Sequence, residues 1–123
     1  ANTLKRVSME LGGNAPVLVF EDADVEQVLD LSVPVKFANA GQVCVTADRF
    51  YVHERHRKAF TEGFTARAKA LRLGHGLDEA TQMGPLINQR RVDAMEKIVA
   101  DAEARGGRIE TGGGRPAGQN KGF

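Results

Sequence analysis

Apolar positions fall into short blocks along the chain, and the spacing within each block predicts an element. Ala15-Pro16-Val17-Leu18-Val19-Phe20 is a continuous apolar run set between Gly12-Gly13 and Glu21-Asp22. Such a run, with no alternation, suits a strand buried on both faces of a parallel sheet. A helix is expected next through Val25, Val28, Leu29 and Phe37, with Asp22 and Asp24 as acidic capping candidates for its free N–H groups. Pro34 lies inside it and is expected to kink or split it. Arg49-Phe50-Tyr51-Val52-His53 is aromatic and β-branched and predicts a second strand. In the following helix Phe60, Phe64, Ala68 and Leu71 form one apolar stripe opposite Arg57, Lys58, Arg67 and Lys69, with Gly74 as its expected end. After Gly84-Pro85, Asn88 is placed to cap a third helix with Val92, Met95, Val99 and Ala102 on its buried side. Asp93 with Lys97 and Asp101 with Arg105 fall at i,i+4 on its wet face, and Gly106-Gly107 stops it. Arg108-Ile109-Glu110-Thr111 predicts a third, weaker strand.

The order strand, helix, strand, helix, helix, strand argues for the α/β class, a mainly parallel sheet with flanking helices joined by right-handed crossovers. Three strands are few for such a sheet. At 123 residues one core is possible, burying roughly two thirds of the unfolded surface. Neither end reads as that of a finished protein: Leu4 to Ser8 leads straight into the first apolar run, and the C-terminus stops in a Gly-rich tail from Gly112 to Gly122, expected to be a flexible loop.

Charge narrows the partners. Lys and Arg number 17 against 16 Asp and Glu, so no strong field draws the chain to nucleic acid or to an anionic membrane. No apolar run approaches the roughly 20 residues of a membrane span, and the N-terminus lacks the layout of a signal peptide. A cytoplasmic protein with a small-molecule partner is the expectation.

Cys44 is the only cysteine, which excludes an internal disulfide and a multi-cysteine zinc site. A lone cysteine is by default a small buried hydrophobe. Against that, Cys44 ends Asn39-Ala40-Gly41-Gln42-Val43-Cys44 in a loop, and Gly41 lets a substrate or a strained backbone come close. A nucleophilic thiol also needs a nearby base or positive field, since a free thiol is only a few per cent ionised at neutral pH. Glu10, in Ser8-Met9-Glu10-Leu11-Gly12-Gly13, is either a solvated carboxylate or that partner. Both residues precede predicted parallel strands, so both emerge at one edge of the sheet if those strands pair. His53 and His56 straddle a strand end and a helix start without a third ligand, so no metal site is expected, and His75 sits in a loop.

The string Val7-Ser8-Met9-Glu10-Leu11-Gly12-Gly13-Asn14-Ala15-Pro16, continuing to Phe20-Glu21-Asp22-Ala23-Asp24, resembles the glutamate signature of the aldehyde dehydrogenase superfamily. Lys36-Phe37-Ala38-Asn39-Ala40-Gly41-Gln42-Val43-Cys44, continuing to Arg49-Phe50-Tyr51-Val52, resembles its cysteine signature, and Gly84-Pro85-Leu86-Ile87 a third stretch. The resemblance covers nearly the whole chain. Within the superfamily the wording is most similar to the semialdehyde dehydrogenases, those of succinic semialdehyde among them. Some of these carry a second cysteine two positions after the nucleophile; here Thr46 stands there, so no local disulfide forms.

The resemblance implies residues 1–123 as a piece of the thiol-bearing catalytic domain, without the cofactor domain. It implies that Cys44 attacks an aldehyde to give a thiohemiacetal, that NAD or NADP takes the hydride, and that Glu10 activates the water that hydrolyses the thioester. Of the two oxyanion donors it implies, one is the backbone N–H of Cys44 and the other an asparagine upstream of this sequence. Leu11 would face the nicotinamide. Retention of Glu10 argues against relatives that pass the acyl group to coenzyme A. No G-x-G-x-x-G or G-x-x-x-x-G-K-[ST] string is present, so the residues hold no phosphate cradle. The parent is expected to be a homo-oligomer, and the isolated chain inactive. A separate alternative stays open: a non-catalytic piece that only packs or binds.

Overall fold

The computed structural model describes residues 4–118 together with 122 and 123. It is an α/β arrangement, as the periodicity predicts. Strand β1 (Ala15–Val19) leads into helix α1 (Val25–Phe37), and strand β2 (Ala47–Val52) returns beside β1 in parallel, with Val17 opposite Phe50 and Val19 opposite Val52. Helix α2 (Arg57–Ala70) packs on α1, and helix α3 (Gln89–Ala104) follows a long loop.

Helices α1 and α3 start where their capping residues dictate, whereas His56 before α2 makes no side-chain cap bond. Asp24 accepts the N–H groups of Glu26 and Gln27 at 3.0 and 3.2 Å, and Asn88 accepts that of Arg91 at 3.0 Å. Pro34 does not split α1. It lies four residues before Ala38, whose N–H donates to the Pro34 carbonyl, so the last turn closes although the proline contributes no donor of its own. Helix α2 ends at Leu71, which turns extended three residues before Gly74; Gly74 instead donates to the Met83 carbonyl at 3.2 Å across the loop. In α3, Asp93 accepts from Gln89 at 2.6 Å and not from Lys97, whereas Asp101 pairs with Arg105 at 2.8 Å. Val92 is buried, Met95 and Val99 half-buried, and Ala102 exposed.

The core lies between the sheet and α1 and α2. Val19, Leu29 and Phe60 form its buried centre, and Phe50, Phe60 and Phe64 stack around it with ring centroids 5.4 to 5.6 Å apart. Arg67 of α2 reaches across to Glu26 at 2.9 Å and Asp30 at 2.8 Å on α1, and these hydrogen bonds raise its already high pKa.

Two further expectations need correction. The strands are buried on one face only: Leu18 is 58 % exposed, Phe20 65 % and Tyr51 53 %, because among the described residues the sheet has helices on a single side. Residues 108–111 form no strand: Ile109, Glu110 and Thr111 line a cavity with Asp48 and Phe50 of β2 without extending the sheet, and Arg108 pairs with Glu110 two residues on. Of the Gly-rich tail, residues 119–121 fall outside the described residues. No helix among the described residues is long and apolar enough to cross a membrane.

Candidate active site

The backbone before Cys44 is left-handed for three residues in a row, Asn39 at φ 48°, Ala40 at φ 56° and Gly41 at φ 76°. Glycine adopts this freely and asparagine tolerates it, but Ala40 bears a cost of about 1–2 kcal/mol. Gln42 holds the run in place. Its N–H and its side-chain amide both donate to the Asn39 carbonyl, at 3.1 and 3.0 Å, while Asn39 Nδ2 donates to the Gln42 carbonyl at 3.2 Å. Strained backbone of this kind concentrates at functional sites, where surrounding bonds over-determine it.

A tight turn follows. The Thr46 N–H donates to the Val43 carbonyl at 3.1 Å, which leaves Cys44 and Val45 at the exposed corner. Cys44 is therefore not the buried filler that a lone cysteine is by default. Thr46 turns inward, and its hydroxyl donates at 2.9 Å to the Val35 carbonyl, one of those that the last turn of α1 leaves for capping.

The glutamate segment reaches the same place. Ala15 at the start of β1 is paired with Ala47 at the start of β2, so Glu10 and Cys44 both precede their strands at one end of the parallel pair. The two loops touch: a Cβ added to Gly13 would lie 3.4 Å from the Cys44 carbonyl oxygen. Arg49 fastens them by donating to the Asn14 carbonyl at 2.7 Å, with its guanidinium bonded to the Tyr51 hydroxyl and 5.7 Å from the Tyr51 ring centre. Glu10 and Leu11 are exposed beside this junction. The backbones are brought together, while no hydrogen bond joins the Glu10 carboxylate to the thiol.

A third segment closes one side. Ile87 donates its N–H to Gln42 Oε1 at 3.1 Å, and Leu86 donates to the Phe123 carbonyl at 2.7 Å. Gln42, Thr46 and Arg49 are thus the residues to which pattern reading gave no role in holding the site. The polar Thr46 between Val45 and Ala47, at the entry to a strand, was the available signal.

The histidines serve the backbone. His56 Nε2 donates to the Glu21 carbonyl at 2.9 Å, and the Nδ1 atoms of His53 and His75 accept from Arg55 and Leu77 at 3.3 and 3.2 Å. Among the described residues no group of three His, Cys, Asp or Glu could hold a metal ion.

Comparison with known proteins gives one consistent result. The model of the Aldehyde dehydrogenase family matches residues 1–123. The mitochondrial succinate-semialdehyde dehydrogenase of Oryza sativa is 46 % identical over 115 residues, which are 94 % of this chain and 22 % of that protein. Among solved structures, a 3,6-anhydro-L-galactose dehydrogenase in complex with NAP superposes with a TM-score of 0.89 at 39 % identity, over 93 % of this chain and 24 % of that one. The succinate-semialdehyde dehydrogenase of Burkholderia pseudomallei gives 0.86 at 43 %, over 89 % and 23 %. The chain therefore spans about a quarter or less of the proteins it matches.

Proposed function

Since this chain belongs to the aldehyde dehydrogenase family, we propose that residues 1–123 are a piece of the catalytic domain of a parent enzyme that oxidises an aldehyde to its acid. Cys44 is its nucleophile and Glu10 its general base. The observation that carries this reading is the exposed thiol at the corner of a strained turn, at the same sheet end as the Glu10 segment.

The chain's own residues supply these roles in order. The Cys44 thiolate adds to the aldehyde carbon, and its backbone N–H is the donor to the oxygen that becomes an alkoxide. NAD or NADP, when bound, supplies the hydride acceptor. Glu10 takes a proton from water as the water attacks the thioester carbon, and the Cys44 sulfur leaves as thiolate, ready for another turnover. Leu11, apolar and 74 % exposed at this junction, suits the nicotinamide ring. The rest of the cofactor belongs to the parent's other regions, because the sequence holds no phosphate cradle.

Succinic semialdehyde is our first choice of substrate, on the likeness to the rice and Burkholderia proteins. The anhydrogalactose dehydrogenase, of similar likeness, shows why it is a choice to be measured. An exposed free thiol keeps its chemistry where thiols stay reduced, which suits the cytoplasm. The parent is proposed to be a homo-oligomer.

Cys44→Ala in the full-length parent tests the reading. Aldehyde oxidation is expected to disappear while NAD or NADP still binds with near-normal affinity, since the thiol supplies chemistry and not cofactor affinity. Turnover surviving in the variant would refute the assignment.

A further inference from the structure

Among the described residues Thr46 is the one buried polar side chain, 3 % exposed, and it stands two residues after Cys44. It is bonded at both of its polar ends. Its N–H closes the turn on Val43 at 3.1 Å, and its hydroxyl donates to Val35 at 2.9 Å, with the Lys36 carbonyl at 3.5 Å. The Cys44 side chain is exposed and takes its direction from the backbone on either side of it. Upstream that backbone is set by Gln42 and Asn39, and downstream by Thr46.

The downstream anchor is doubled. Lys36, at the end of α1, pairs with Asp48 at 3.2 Å, and the buried Ala47 lies between Asp48 and Thr46. The end of α1 and the start of β2 are thus joined on both sides of one buried residue. Of the two links, the Lys36 pair is the more open to water, whereas Thr46 is 3 % exposed and its bond to Val35 is part-buried. The buried Thr46 hydroxyl has little water to take its place, so its loss weakens the hold on the Val35 carbonyl and frees the turn to shift.

We propose that Thr46 is a positioning residue for the nucleophile: its hydroxyl fixes the Cys44 turn to the C-terminal end of α1 and so sets the direction of the thiol. This rests on the reading of Cys44 as nucleophile. A displacement of about 1 Å at a reacting atom can cost on the order of a hundredfold in rate. The valine variant, equal in shape and lacking the hydroxyl, isolates the effect.

The test uses the full-length parent with Thr46→Val, Thr46→Ser and Cys44→Ala. For Thr46→Val we expect the pre-steady-state rate of nicotinamide reduction at saturating succinic semialdehyde to fall roughly ten- to a hundredfold, with KM moved by less than about twofold. Alkylation of Cys44 by iodoacetamide, in enzyme freed of cofactor, should slow about fivefold. Thr46→Ser should restore both rates to within about twofold, because it keeps the hydroxyl. Wild-type rates in Thr46→Val, or equal losses in Thr46→Ser and Thr46→Val, would overturn the proposal. Should Thr46→Val fail to fold, Thr46→Ser decides alone: a rate near wild type supports the hydroxyl, and a loss of about tenfold assigns the role to the methyl group and overturns it. An inactive Cys44→Ala beside an unimpaired Thr46→Val removes the positioning role only. An active Cys44→Ala removes the nucleophile reading itself.

Discussion

Gln42 and Ile87 are joined by a side-chain-to-backbone hydrogen bond of 3.1 Å across 45 residues of sequence. The same side chain donates to Asn39 at 3.0 Å, so it couples the left-handed run before Cys44 to the 84–87 loop. Gln42→Met keeps the length and removes both bonds. We expect a loss of about 1 kcal/mol in urea unfolding of the parent, as for one partly solvated hydrogen-bonding group. An unchanged midpoint would mean that water replaces the side chain without cost.

Gly63 in α2 tests how tightly the core is filled. Alanine favours a helix interior by about 1 kcal/mol over glycine, yet a Cβ at this position would collide with Cδ1 of Leu29, which is fully buried. Overpacking costs about 1–3 kcal/mol, and Leu29 has no solvent to retreat into. Gly63→Ala is therefore expected to lower Tm, and a raised Tm would show that Leu29 repacks freely.

Glu10→Gln separates the two halves of the proposed chemistry. With the amide in place the first turnover should still release a burst of reduced nicotinamide, after which the enzyme stalls as the thioester. Stopped-flow absorbance measures both phases. A normal steady rate in this variant would remove Glu10 from the hydrolytic step.

The three helices were legible because their signals are local: Asp24 and Asn88 are caps that work wherever they stand, and the Phe60, Phe64, Ala68 stripe has one period. Parallel pairing, and with it the shared edge of Glu10 and Cys44, followed from the order of elements. Other features depend on what lies alongside in space. Ile109 and Thr111 have strand-forming side chains, but β structure needs a paired neighbour, and residues 109–111 face β2 across a cavity without joining the sheet. The outer face of β1 reads as buried from composition, though nothing among the described residues covers Leu18. The left-handed Ala40 was illegible for the opposite reason: alanine gives no sign of it, and only the bonds made by Gln42 and Asn39 hold it there.

For the isolated chain we expect no aldehyde oxidation and a molar mass above that of the monomer. Holding reactants in place supplies roughly 7 to 11 kcal/mol of a barrier reduction, and the cofactor-binding regions that would do so lie outside residues 1–123 in the proposed parent. The exposed Leu18, Phe20 and Tyr51 would drive self-association. Nicotinamide absorbance with succinic semialdehyde, beside light scattering, checks both. Turnover by a strict monomer would contradict them.

The β1–α1–β2 unit also bears on which lesions elsewhere in the parent reach the nucleophile. The β1–β2 register, the Thr46 bond to Val35 and the Gly13 approach to Cys44 all lie within residues 13–52. Closing loops of this length costs little entropy, so this stretch ties the thiol's turn to α1 and β1 through contacts of modest sequence separation. The thiol's turn thus depends on this stretch and on Phe60 and Phe64 of α2, which share its core, while the Ile87 bond to Gln42 acts as a latch from farther along the chain. A lesion in α1 would therefore reach Cys44 through the Thr46 bond, whereas one in the 84–87 loop reaches it only through Gln42.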